Sequence, residues 1–163
     1  MKLYVFRHGI AEDVGPDGTD ASRRLTRDGI DKTRKAAEGI ARLGAKPDVI
    51  LTSPKLRAAQ TAELAGDALD APVETLRSLA NSSPSAIIRD LTPRTEGEVM
   101  VVGHEPMLSR FIELICTGGS DAGFVELKKA GCACVDADIK PSGLAEVATL
   151  NWLLPAKTLR KLG

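Results

Sequence analysis

Apolar residues follow two patterns along this chain: short unbroken runs, and longer alanine-rich stretches in which they return every three or four positions. Leu3 to Phe6, Val49 to Thr52 and Val99 to Val102 are runs of the first kind, too short for helices and rich in β-branched residues, and they predict buried strands. Thr26 is placed to cap a helix reaching about Leu43, with Ile30, Thr33, Ala37, Ile40 and Ala41 on one face and Gly44 as its stop. Ser53-Pro54, as N-cap and first-turn proline, predicts a second helix to about Leu69. Pro72 to Leu76 reads as a weaker strand. A short helix is expected from Ser83-Pro84 through Leu91, and another begins at Pro106, carries Leu108, Phe111, Ile112 and Ile115 on one face, and stops at Gly118-Gly119.

Strands alternating with helices predict an α/β fold, a mostly parallel sheet covered by helices in three layers, α/β/α. From Phe124 the pattern changes. Phe124 to Leu127, Cys132 to Val135 and Val147 to Trp152 read as three strands between Gly- and Pro-containing turns, so antiparallel strands are expected to complete the sheet at its C-terminal end. With 163 residues and no repeat, low-complexity tract or linker, residues 1–163 are expected to form a single domain. A chain of this size buries about 68–70% of the surface its unfolded form exposes, so it needs no metal or disulfide to fold.

Charge narrows the function classes. Lys plus Arg and Asp plus Glu number 22 each, so no large basic field points to nucleic acid or a membrane surface, and a bound anion must be met by local groups. No apolar stretch has the length of a membrane span. Cys116, Cys132 and Cys134 are odd in number and lack CxxC spacing, and Met1-Lys2 leads directly into an apolar run rather than a signal peptide, so a reducing cytoplasm is expected. Cys132 and Cys134 lie on one face of an alternating strand and read as packing residues.

The chain holds two histidines, His8 and His104, and each directly follows a predicted strand. Carboxyl ends of strands in an open α/β sheet deliver side chains to one crevice, so the two imidazoles can face each other. Arg7 ends the first strand beside His8, and Arg57 lies about one turn into the second helix. Arginine's planar fork bonds two anion oxygens while remaining charged, so two arginines and two histidines suit a clamp on one phosphate. A neutral imidazole has a free lone pair for attack on phosphorus, and nearby arginines help to keep His8 unprotonated. Gly9 is expected to let the backbone pass close to the anion. Arg7, Arg57 and a protonated His104 would stabilise charge on the equatorial oxygens. The loop Ile10 to Arg24 is too long for a mere connector and is expected to cover the site.

Arg7-His8-Gly9, the run Ser53-Pro54-Lys55-Leu56-Arg57-Ala58-Ala59-Gln60-Thr61-Ala62, and Gly103-His104-Glu105-Pro106 resemble, in order and context, the histidine phosphatase (phosphoglycerate mutase-like) superfamily. The short chain narrows the resemblance to SixA-like phosphohistidine phosphatases. Arg23-Arg24-Leu25-Thr26-Arg27-Asp28-Gly29 and the closing Asn151-Trp152-Leu153-Leu154-Pro155 extend it over nearly the whole chain. The resemblance implies His8 as the phosphorylated nucleophile, Arg7 and Arg57 as phosphate clamps, His104 as the second catalytic histidine, and Arg23 as the arginine reaching the pocket from the loop. Arg24 stands where the family often has proline, which leaves open which of the adjacent arginines points inward; Arg23 is the better candidate. Glu105, Asn81 and Ser109 are candidates for substrate contact, though each also reads as a helix start, a loop turn or an exposed polar face. Lys128, Lys129, Lys157, Arg160 and Lys161 read as solvated charge.

Larger members of the superfamily are thought to protonate the leaving group with an acidic residue after the third strand, but Thr75 to Ile88 contains no Asp or Glu. Phosphohistidine leaves once its own nitrogen takes a proton, so it can dispense with such an acid, whereas an alkyl ester benefits from one. Glu105, Glu12 and Asp13 are the remaining acid candidates. The expectation is a cytoplasmic phosphatase without metal or cofactor, working through a phospho-His8 intermediate on phosphohistidine in a signalling or phosphotransfer protein. Its alternatives are a small-molecule phosphomonoesterase and a non-catalytic phosphate- or phosphoprotein-binding module.

Overall fold

A computed structural model describes the chain except residues 82, 120–122, 141, 142 and 145, with residues 81, 143 and 144 described by backbone alone. Its main sheet has six strands: β1 (Lys2–Arg7), β2 (Val49–Thr52), β3 (Val73–Thr75), β4 (Glu98–Gly103), β5 (Cys132–Asp136) and β8 (Thr149–Leu154), in the order β3-β2-β4-β1-β5-β8. The first four in that order are parallel, and β5 and β8 close the other side antiparallel, as the change of pattern after Phe124 predicts. A separate hairpin, β6 (Ile139–Lys140) with β7 (Gly143–Leu144), lies outside this sheet.

The strand runs are unbroken because both faces are covered. Leu3 and Val5 of β1 join Val49, Leu51, Val99, Val101, Ala133 and Val135 in a core with Phe111, Ile112 and Ile115 of α5 (Met107–Thr117) and Ile87 and Leu91 of α4 (Pro84–Leu91). Tyr4 and Phe6 point the other way. They meet Met100, Val102, Cys132 and Cys134 and the alanine faces of α1 (Arg27–Arg42) and α2 (Leu56–Leu69), closed by Leu159 of α6 (Ala156–Leu159). The three-layer architecture follows, with the buried cysteines as ordinary core residues. Among the described residues no helix is long and apolar enough to cross a membrane.

Thr26 caps α1 as expected, its hydroxyl accepting from Gly29 N at 2.9 Å. Two expectations fail. The second helix begins at Leu56 with Lys55 as its N-cap; the Ser53 hydroxyl accepts from Lys55 N at 3.3 Å and is also engaged with His104. Phe124 to Leu127 forms no strand; its backbone is held by side chains of α5, with the buried Glu113 carboxylate accepting from Gly123 N and Val125 N, and Ser109 Oγ from Leu127 N. The short helix α3 (Ser78–Asn81) was not foreseen.

Candidate functional site

Sheet register assembles the site. Arg7 pairs with Gly103 across β1 and β4, and Thr52 with Val102 across β2 and β4, so the three strands end within one residue of one another. The next residue on each is His8, His104 and Ser53, and all three are buried. The imidazole centroids lie 5.1 Å apart at 52°.

His8 is oriented at both nitrogens. Nδ1 sits 2.7 Å from the Gly9 carbonyl, which only a protonated Nδ1 can satisfy, so Nε2 presents its lone pair. Arg57 Nε donates to that Nε2 at 3.3 Å. Burial first, then the charges of Arg57, Arg7 and Lys129, lower the His8 pKa to about 4, outweighing the Gly9 bond. His104 lies near 3 for the same leading reason, with His8, Arg57 and Lys55 adding to it. Its Nε2 is 2.8 Å from Ser53 Oγ, while its buried Nδ1 has no partner. With no anion bound, burial and the neighbouring charges thus favour the neutral form of both rings.

The positive groups are held by Asp20, on the long loop. Arg57 Nη2, Lys55 Nζ and Arg23 Nη1 lie 3.2, 3.0 and 3.0 Å from its carboxylate, and Arg57 Nη1 donates to its carbonyl at 2.7 Å. These partners hold the Asp20 carboxyl far below the ordinary range, led by the Lys55 and Arg23 hydrogen bonds. Arg23 is half-buried and also donates to the Glu12 carbonyl, whereas Arg24 is exposed. Arg23 thus meets the site through Asp20. Asp20, Lys55, Arg57 and His104 line a cleft of about 550 Å³ with Ser83, Glu105 and Arg110.

Arg7 and Gly9 differ from expectation. Arg7 does not line that cleft; its Nη1 donates to the Leu127 carbonyl at 2.8 Å, its buried Nε has no partner, and it borders a neighbouring pocket. A Cβ on Gly9 would lie 2.1 Å from Thr33 Oγ1 of α1, so the close approach this glycine permits is to a helix. Glu105 is half-buried in the cleft, with Oε1 unpartnered, and burial raises its carboxyl pKa. Glu12 and Asp13 are exposed and do not line the cleft. Ser109 is bonded to Leu127 N, and the Asn81 side chain lies outside the described residues. No group of three or more His, Cys, Asp and Glu side chains that could hold a metal ion occurs among the described residues.

Sequence reasoning missed four positioning residues. Asp20 and Ser53 are described above; Gln60 Oε1 accepts from Leu25 N at 2.8 Å, and Thr61 Oγ1 accepts from Gly9 N at 3.1 Å while donating to the Arg57 carbonyl. Thr61 carried a signal, being a polar residue on the otherwise alanine face Ala58, Ala62, Ala65.

A model of the histidine phosphatase superfamily (branch 1) matches residues 3–83. An uncharacterized protein of Picosynechococcus sp. is 38% identical over 95% of this chain and 100% of its own length. The phosphohistidine phosphatase SixA of Escherichia coli K12 is 29% identical over 98% of this chain and 97% of its own. The solved structure of the protein histidine phosphatase SixA complexed with tungstate superposes with a TM-score of 0.82 at 29% identity, covering 98% of this chain and 99% of that one.

Proposed function

The chain belongs to the histidine phosphatase superfamily and is a phosphatase of that group, and from this premise we propose that it removes phosphate from phosphohistidine in a protein, with His8 Nε2 as nucleophile. The observation that carries the reading is the orientation of His8, whose Nδ1 faces the Gly9 carbonyl and whose Nε2 accepts from Arg57 Nε beside the His104 ring. In the first step the Nε2 lone pair forms a bond to phosphorus while the substrate's P–N bond breaks. The departing electron pair stays on the substrate imidazole, which takes up a proton. In the second step water attacks phospho-His8, the Nε2–P bond breaks, inorganic phosphate leaves and Nε2 recovers its lone pair.

Arg57, bonded to Nε2 in the free site, transfers its donors to the phosphoryl oxygens, and an incoming dianion raises the proton affinity of His104 so that it too becomes a donor. Arg7 would swing from the Leu127 carbonyl to complete the clamp, and Arg23 and Lys55 would follow the charge released from Asp20. Phosphohistidine as the substrate is supported by the SixA relatives and by the absence of Asp and Glu between Thr75 and Ile88. A phosphotransfer protein is then the expected partner. No metal or cofactor takes part in this scheme.

The test is phosphate release from a histidine-phosphorylated phosphotransfer domain by the native protein and by His8→Ala, with an aryl phosphate in parallel. The native protein should act on the phosphodomain well above its aryl phosphate rate, and His8→Ala should lose at least about a thousandfold, as expected for removal of a covalent nucleophile. Equal rates for the two proteins would refute the mechanism.

One observation favours a second reading, a small-molecule phosphomonoesterase. Glu105 lines the cleft with its pKa raised by burial, the property an acid needs to protonate an alkoxide leaving group. If esters are the substrate, Glu105→Gln will lower alkyl phosphate hydrolysis about a hundredfold and aryl phosphate hydrolysis far less.

A further inference from the structure

Next to the reaction cleft lies a second pocket of about 470 Å³, lined by Arg7, Lys32, Lys128, Lys129 and Arg160, with Glu126 its one acidic member. In a chain with formal net charge zero this is a local excess of positive charge, gathered from β1, α1, the segment before β5 and the C-terminal end. Lys128 is paired with Glu126, and Lys32 with Asp28. Among the described residues Lys129 and Arg160 form no ion pair, and Arg7 brings its buried, unpartnered Nε to the same pocket.

The lysine-bearing segment is stitched to the nucleophile's strand. Ala130 N lies 3.2 Å from both the Arg7 and His8 carbonyls, Arg7 N donates to the Gly131 carbonyl at 3.0 Å, and Arg7 Nη1 holds the Leu127 carbonyl. Ala130 sits at φ 54, a left-handed conformation that a residue with a Cβ rarely adopts. The surrounding bonds over-determine this conformation, and it fixes the backbone of Lys129 one residue away from the strap across Arg7 and His8.

We propose that this pocket receives carboxylate side chains flanking the phosphohistidine of the protein substrate, with Lys129 and Arg160 as the principal contacts. The inference rests on the phosphohistidine reading and adds to it the chemical class of the partner: an acidic surface around the modified residue. Two-point attachment, phosphoryl group at His8 and carboxylates at the neighbouring pocket, selects a macromolecular substrate over a free phosphate ester, which fills the first point only. Charge complementarity of this kind acts mainly on encounter and is screened by salt.

Two phosphohistidine peptides identical except for flanking Glu or flanking Lys residues test this, with an aryl phosphate as the one-point substrate. At low ionic strength the native protein should favour the Glu-flanked peptide at least tenfold in kcat/KM. Arg160→Gln should reduce that preference at least threefold with aryl phosphate hydrolysis held within about threefold, Arg160→Glu should lower it further, and the double variant Lys129→Gln/Arg160→Gln should reduce it to about twofold or less. A native protein indifferent to the flanking charge, or a preference that survives in the double variant, overturns this inference and leaves phosphohistidine hydrolysis standing. Hydrolysis of the aryl phosphate but of neither peptide overturns both.

Discussion

His8 and His104 are the only imidazoles in the chain, so imidazole NMR reads the site directly. Both should titrate well below an ordinary histidine, with midpoints near 4 and 3, and inorganic phosphate should move both upward, since a dianion beside each ring favours the protonated form. A midpoint near 6.5 for His8 in the free protein would remove the ground for a pre-neutralised nucleophile. Asp20 offers a second test. It engages Arg57, Lys55 and Arg23, and the proposed mechanism requires that it be exchanged for the substrate's oxygens. Asp20→Asn should tighten competitive inhibition by inorganic phosphate about fivefold, the equivalent of about 1 kcal/mol for a partly exposed ion pair. Weaker inhibition would show that Asp20 positions the arginines more than it competes for them.

α1 packs closely against the residues that follow β1. A Cβ on Gly9 meets Thr33, and one on Gly29 meets the Ile10 carbonyl at 2.0 Å, so glycines on both sides permit the approach. Gly9→Ala should destabilise by about 1–3 kcal/mol, as overpacking does, and Thr33→Ala in the same chain should restore part of it; thermal unfolding of the pair checks this. The same region shows what the sequence could and could not convey. Strand runs and the Thr26 cap were legible because they are local: run length, a capping hydroxyl, a stop glycine. Ser53-Pro54 placed the helix start early: the Ser53 hydroxyl accepts from Lys55 N but is shared with a tertiary partner, His104, and the helix begins at Leu56. Phe124 to Leu127 misled because its alternation is that of a strand, while Glu113 and Ser109 satisfy its backbone. His8, His104, Arg7 and Arg57 were identifiable by type and position, whereas the Asp20 network and the basic pocket depend on segments distant in sequence.

Over the whole molecule, two buried histidines make stability depend on pH. Their folded-state pKa values lie below the unfolded value of about 6.5, so the unfolded chain binds more protons between that pH and the folded values. Their contribution is fully retained above pH 6.5 and is lost as pH falls through 6.5 toward 4, at up to about 1.4 kcal/mol per pH unit for each ring. Urea unfolding at pH 7 and pH 5 should show this loss, and His8→Ala should flatten it by about half; an unchanged slope would mean that the ring charges in the folded state without penalty. Strand order has a further consequence, in the timing of assembly. β1 is synthesised before β4 and β5, yet it lies between them, with Lys2 paired to both Glu98 and Asp136. His8 therefore leaves the ribosome before either neighbour of its strand exists, and its surroundings cannot close until residue 136 has followed.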